Sequence, residues 1–209
     1  MTKTTKKKIA LVLFYVLSWT WGFIMSFIGL CTVGVIKLYG AFTKKEYKLH
    51  KHGACYYLEV GKGWGGVELG MFFLISEGCG AHTKNHEHGH GLQNCLWGPL
   101  FPFVVCLPSA TRYWLRECEG YQNKVRFSIG IPMIPMAVGL TLCILGIILP
   151  ALIFLGLPLI LYGLIIMLWL LLKETPKYRD GTHPPYDSIW FEGQATEWGT
   201  LFLTWLCTP

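Results

Sequence analysis

Two stretches of this chain contain no Lys, Arg, Asp or Glu: residues 9–36 and residues 127–172, which are 28 and 46 residues long. An apolar helix needs about 20 residues to cross the hydrocarbon core of a bilayer, so the first stretch can hold one span and the second two. Pro150 lies near the middle of the longer stretch and supplies its turn, so that stretch reads as a transmembrane helical hairpin. The chain is 53% hydrophobic and only 14% charged, which argues against a water-soluble domain. Nine Trp, ten Tyr and twelve Phe argue equally against disorder.

The formal charge of +6 does not point to nucleic acid, because the basic residues flank the apolar stretches. Lys3, Lys6, Lys7 and Lys8 precede the first, and Lys44, Lys45, Lys48 and Lys51 follow it. No basic stripe interleaved with aromatics is present, so no nucleic-acid partner is expected and the lipid bilayer is. The first apolar run is longer than the core of a signal peptide and lacks a clear small-residue cleavage site, so it reads as a retained helix. The eight cysteines show neither a CxxC pair nor a repeating spacing, so no disulfide framework or zinc knuckle is expected, and they favour a reducing face.

The pattern predicts a mainly α membrane protein with about three transmembrane helices and a small α+β metal-site region. Four regions are expected: an N-terminal transmembrane helix (1–40), a central region (41–126), the inserted hairpin (127–173) and a C-terminal helix (174–209). In the central region CYYLEV and VELGMFFLI are β-prone, and GKGWGG between them reads as the turn of a β-hairpin. Residues 82–97 read as a helix ended by Gly98-Pro99. Residues 91–111 carry no formal charge until Arg112 and leave three readings open: a kinked span, a re-entrant segment or a buried helix. Residues 186–206 read as the closing helix.

The chemistry concentrates in Asn85-His86-Glu87-His88-Gly89-His90, which contains H-E-x-x-H on the predicted helix. Residues i and i+4 share a helix face, so His86 and His90 can reach one metal ion. Glu87 is placed to touch a metal-bound water without ligating the metal. His88 points away from that face and reads as structural or solvent-exposed, and His82 as an ordinary residue of the first helical turn. Asn85 and Gln93 could orient ligands. A catalytic zinc leaves one position open for water and needs a third protein ligand. Glu59, Glu68, Glu77 and the helical Glu192 are the competing acids, with Glu192 ranked first for its helical context.

H-E-x-x-H followed far downstream by Trp190-Phe191-Glu192-Gly193-Gln194-Ala195 resembles the gluzincin class of zinc metallopeptidases. The resemblance implies Zn2+ held by His86, His90 and Glu192, with Glu87 as general base. The stretches GWGGVELG, NHEHGHGLQN and YDSIWFEGQAT are also similar to those of a group of small bacterial membrane proteins, a likeness that brings no function with it. The chain departs from the gluzincin pattern where an acid commonly stands four residues after the ligand Glu: here Thr196 holds that position and the acid is Glu197. Tyr186, His183 and Arg112 are the candidates for stabilising an oxyanion, and Asn85 and Glu197 for supporting the ligands. An edge strand in VELGMFFLI would, as in gluzincins, hold an extended peptide; burial of its side chains in the core is the equal alternative.

The expected function is therefore a membrane-embedded zinc metallopeptidase acting on a peptide or membrane-protein substrate. The competing readings are a non-catalytic metal-binding membrane protein and a zinc hydrolase of a non-peptide amide or ester. The basic flanks of the hairpin suggest that both lie on the cytoplasmic side, with the metal site on the same face if residues 91–111 do not cross, and the likeness to small bacterial membrane proteins implies a bacterial cytoplasmic membrane.

Overall fold

The computed structural model describes residues 2–208, which divide into two compact units. The first comprises residues 2–105 and 186–208, and the second Cys106–Pro185.

The first unit opens with helix α1 (Lys3–Trp19), whose Thr2 hydroxyl caps the backbone N–H of Thr5 at 3.2 Å. Helix α2 (Phe23–Thr43) follows directly. The first apolar run is thus broken into two helices, where the sequence suggested one. Its break has a tertiary cause: the buried Asn94 side chain donates to the Gly22 carbonyl at 3.2 Å and occupies the space where a side chain on Gly22 would go. The membrane-length apolar helix of this region therefore starts at Phe23.

Next comes a four-stranded sheet in the order β1-β2-β4-β3, formed by β1 (His50–His52), β2 (Cys55–Glu59), β3 (Gly66–Leu69) and β4 (Phe72–Ile75). The single hairpin expected here is replaced by two. Strands β1 and β2 turn at Gly53-Ala54, β3 and β4 turn at Gly70-Met71, and β2 lies parallel to β4. Gly70 splits VELGMFFLI because it adopts a φ of +76°, open to glycine but strained for other residues. GKGWGG is thus the start of a crossover that carries β3 to the outside of β4.

Alternation places side chains on both faces of the sheet. Cys55, Tyr57, Phe73 and Ile75 pack with Phe14 of α1, while Leu58 and Phe72 pack with Val33 of α2. Helix α3 (Ala81–Trp97) and the closing helix α7 (Trp190–Cys207) complete the unit, close to the expected boundaries.

In the second unit, α4 (Leu107–Glu117) leads into α5 (Tyr121–Leu145) and α6 (Ile153–Trp169), which pack against each other as the expected hairpin. Pro150 opens the short turn before α6. Small residues permit the contact: a Cβ on Gly139 would fall 2.5 Å from the Gly156 carbonyl oxygen, and one on Gly163 2.6 Å from that of Pro132. At the polar end of the hairpin the buried Arg112 pairs with Glu174 at 3.0 Å, and Lys124 donates to the carbonyls of Leu115 and Arg116.

Among the described residues, three helical stretches are long and apolar enough to cross a membrane: Phe23–Thr43, Tyr121–Leu145 and Pro150–Tyr178. Ile147, Ile148 and Phe154 near the hairpin turn are at least 80% exposed, as expected of side chains that face lipid instead of water. The 91–111 segment is the last part of α3, two short irregular helical turns and the start of α4; it is not one of the three membrane-length helices.

Candidate metal centre

Helices α3 and α7 approach backbone to backbone at two glycines. A Cβ on Gly89 would lie 1.8 Å from the Ala195 carbonyl oxygen, and one on Gly199 would lie 1.8 Å from that of Asn85. Any larger residue at either glycine would force the helices apart. This contact brings Glu192, on the first turn of α7, to the face of α3 that carries His86 and His90, although 102 residues separate it from His90.

His86 Nε2, His90 Nε2 and Glu192 Oε2 form a nearly equilateral triangle with edges of 3.1, 3.1 and 3.2 Å. All three residues are buried, Glu192 completely. This His/His/Glu group could hold a metal ion.

The surrounding hydrogen bonds decide which ring nitrogens face the triangle. Thr196 Oγ1 donates to Asp187 Oδ2 at 3.0 Å and lies 2.8 Å from His86 Nδ1. A hydroxyl has one proton to give, and this one goes to a carboxylate, so His86 Nδ1 must donate to Thr196. Gln93 behaves alike: its Nε2 donates to the carbonyl of Phe191 at 2.8 Å and to Gln194 Oε1 at 3.0 Å. Its Oε1 therefore accepts from His90 Nδ1 at 2.8 Å. Both imidazoles carry their fixed proton on Nδ1 and turn Nε2 inward. Three electron-rich atoms at such distances repel each other unless a cation or shared protons sit among them.

Glu87 lies on the same helix beside the triangle, packed against β3 so closely that a Cβ on Gly66 would fall 2.4 Å from its Oε1. Burial pushes the Glu87 carboxyl up to about 8; His86 opposes the shift and Glu192 adds to it. The Tyr186 ring lies 6.0 Å from that of His86, and the Phe101 ring 6.5 Å from that of His90.

The other candidates make other contacts. Asn85 does not orient a ligand; its side-chain oxygen pairs with His52 Nε2 at 2.9 Å. Glu197 does not support His86, because it sits on the exposed face of α7. Arg112 and His183 belong to the second unit, where Arg112 is engaged by Glu174 and the Pro185 carbonyl and His183 meets the Tyr178 ring edge-on. Glu59 pairs with Lys84 and Glu77 with Lys45. Glu68 is buried on β3, where burial and then Glu87 hold its carboxyl well above the usual carboxylate range. His88 is structural: its Nε2 accepts the backbone N–H of Ala54 at 3.1 Å, between the rings of Phe14 and Phe202.

Sequence reasoning missed Asp187 entirely and met Thr196 only as a departure from pattern. Asp187 precedes α7 in a short turn (Tyr186–Ser188), outside any helical spacing that links it to the ligands. The chain matches no family model, no curated protein and no solved structure.

Proposed function

We propose that this protein is a membrane-embedded zinc hydrolase of the gluzincin kind, acting on a peptide or membrane-protein substrate. The observation that carries this reading is the triangle of His86 Nε2, His90 Nε2 and Glu192 Oε2, with both Nδ1 atoms held by hydrogen bonds. Ligands bound to zinc at about 2.0–2.1 Å in tetrahedral geometry lie about 3.3 Å apart, close to the edges found here. Two imidazoles and one carboxylate are also a donor set suited to zinc, and they leave one tetrahedral position for water.

When bound, zinc supplies an acidified water and a polarised substrate carbonyl. Glu87, next to the ligand His86 on α3, would accept the proton of a water held there. Thr196 and Gln93, by holding the Nδ1 atoms, keep the Nε2 lone pairs of His86 and His90 turned into the triangle, where they would hold the ion. Tyr186, beside His86, is the candidate donor to the developing oxyanion. A peptide substrate is favoured by β3, the edge strand of the sheet that packs on Glu87. An extended chain could add to such an edge.

The basic residues that flank the hairpin, Arg112, Arg116, Lys124 and Arg126 before it and Lys173, Lys177 and Arg179 after it, support a cytoplasmic placement of both flanks. One observation favours the second reading, a metal held for structure: every ligand and Glu87 are at most 7% exposed.

Zinc content and hydrolysis of a peptide library, measured on wild type and Glu87→Gln, separate the two readings. Stoichiometric zinc in both, with hydrolysis reduced by about 10²–10⁴-fold in the variant, is expected of the enzyme. Zinc without hydrolysis of peptides, amides or esters by wild type points to the structural role. Absence of zinc from wild type removes both.

A further inference from the structure

The residue that supports His86 is reached in an unusual way. Thr196 stands where the gluzincin resemblance led to an acid, and a threonine hydroxyl by itself can either donate to an imidazole or accept from it. The direction is settled by Asp187, which lies nine residues upstream and accepts the hydroxyl proton at 3.0 Å. Its approach depends on Gly193: a Cβ there would lie 2.8 Å from the Asp187 carbonyl oxygen, so only a glycine lets the Tyr186–Ser188 turn lie on the first turn of α7. Glu197, the nearest acid in sequence to Thr196, is exposed and leaves this role to Asp187.

We propose that Asp187, acting through the Thr196 hydroxyl, fixes the tautomer and orientation of His86 and thereby sets how tightly the centre holds a divalent ion. Asp187 is a positioning residue: its carboxylate meets Thr196 and acts on the ligand triangle only through that hydroxyl. The chain His86 Nδ1–H to Thr196 Oγ1, and Thr196 O–H to Asp187, gives His86 the effect of a neighbouring carboxylate across one intervening hydroxyl. His90 has a neutral amide, Gln93, in the equivalent place. A charged acceptor at the end of the chain strengthens both hydrogen bonds and makes Nε2 a better donor to the ion. The same turn carries Tyr186, so one anchor serves the ligand and the ring that packs on it.

The inference rests on the reading of the triangle as a metal site, and its test reads metal binding without relying on catalysis. Full-length protein in detergent is titrated with Co2+ alone against a competing chelator, and the absorption of bound Co2+ reports affinity and coordination. Asp187→Ala and Thr196→Val should each weaken Co2+ binding by about 10–100-fold. The double variant should be no weaker than the weaker single variant, because the two residues act as one chain. Thr196→Ser keeps the hydroxyl and should bind close to wild type, a rescue that a purely packing role would not produce. Should Thr196→Val fail to fold, Asp187→Ala carries the test, since its site is half-buried in a turn. Wild-type affinity in Asp187→Ala, or a Thr196→Ser as weak as Thr196→Val, overturns the proposal while wild type still binds Co2+. Failure of wild type itself to bind Co2+ is a different result and overturns the metal reading as well.

Discussion

Gly89 on α3 and Ala195 on α7 touch backbone to backbone: a single methyl group on Gly89 would sit 1.8 Å from the Ala195 carbonyl oxygen. Everything proposed for this protein depends on that approach, because it sets the distance from Glu192 to the two histidines.

Gly89→Ala and Gly199→Ala should therefore abolish metal binding and lower the melting temperature, since overpacking costs about 1–3 kcal/mol or more where backbone must move. Gly34→Ala, on α2 where a Cβ meets nothing within 4 Å, should do neither. Metal stoichiometry and thermal unfolding of the three variants check this. An unchanged metal content in Gly89→Ala would mean the helices can separate without opening the triangle.

Gln93 joins the two helices and orients His90, so Gln93→Leu leaves His90 Nδ1, the Phe191 carbonyl and the Gln194 side chain without this partner. The expected loss of metal affinity is about 10–100-fold, with a fall in stability as well. Chelator competition measures the first and thermal unfolding of the metal-free protein the second.

Asn94→Ala, by contrast, should lower stability by about 0.5–1.5 kcal/mol through loss of its hydrogen bond to the Gly22 carbonyl, which keeps the Ser26 N–H, yet keep its metal. It separates damage to the α1–α2 break from damage to the centre, and a loss of metal from Asn94→Ala would show the two to be coupled.

His88 predicts a pH dependence. Burial, with a smaller contribution from His52, lowers its folded value from 6.5 to about 3. The folded state thus prefers neutral His88, and the unfolded state takes up the proton first. Its contribution to stability is full above about 6.5 and is lost progressively as the pH falls towards about 3. At most this is about 1.4 kcal/mol per pH unit. Metal-free wild type should melt at steadily lower temperature as the pH falls from 6.5, and His88→Gln, which cannot titrate, should show a shallower decline. Parallel pH profiles would assign the acid sensitivity to other groups.

The elements whose signals are local were legible. The hairpin of α5 and α6 follows from 46 residues without a charge and a proline in their middle. Helix α3 follows from a polar periodic stretch ended by Gly98-Pro99, and spacing alone put His86 and His90 on one face. The break between α1 and α2 was not legible, because Asn94, which engages Gly22, lies 72 residues away. The sheet was misread for a similar reason: β2 and β4 pair in parallel across an intervening strand, a long-range pairing that alternation of side chains cannot reveal.

The sequence by itself determined a chain with apolar runs for about three bilayer spans and two histidines one helical turn apart, because hydropathy and helical periodicity are properties of neighbouring residues. Tertiary structure alone decided that Glu192 meets those histidines, that Thr196 and Gln93 fix their tautomers, and that Asp187 stands behind Thr196. These contacts depend on how closely two helices pack, and that closeness is set by what Gly89, Gly193 and Gly199 leave out. A missing side chain has no meaning in a linear sequence until the backbone that fills its place is known.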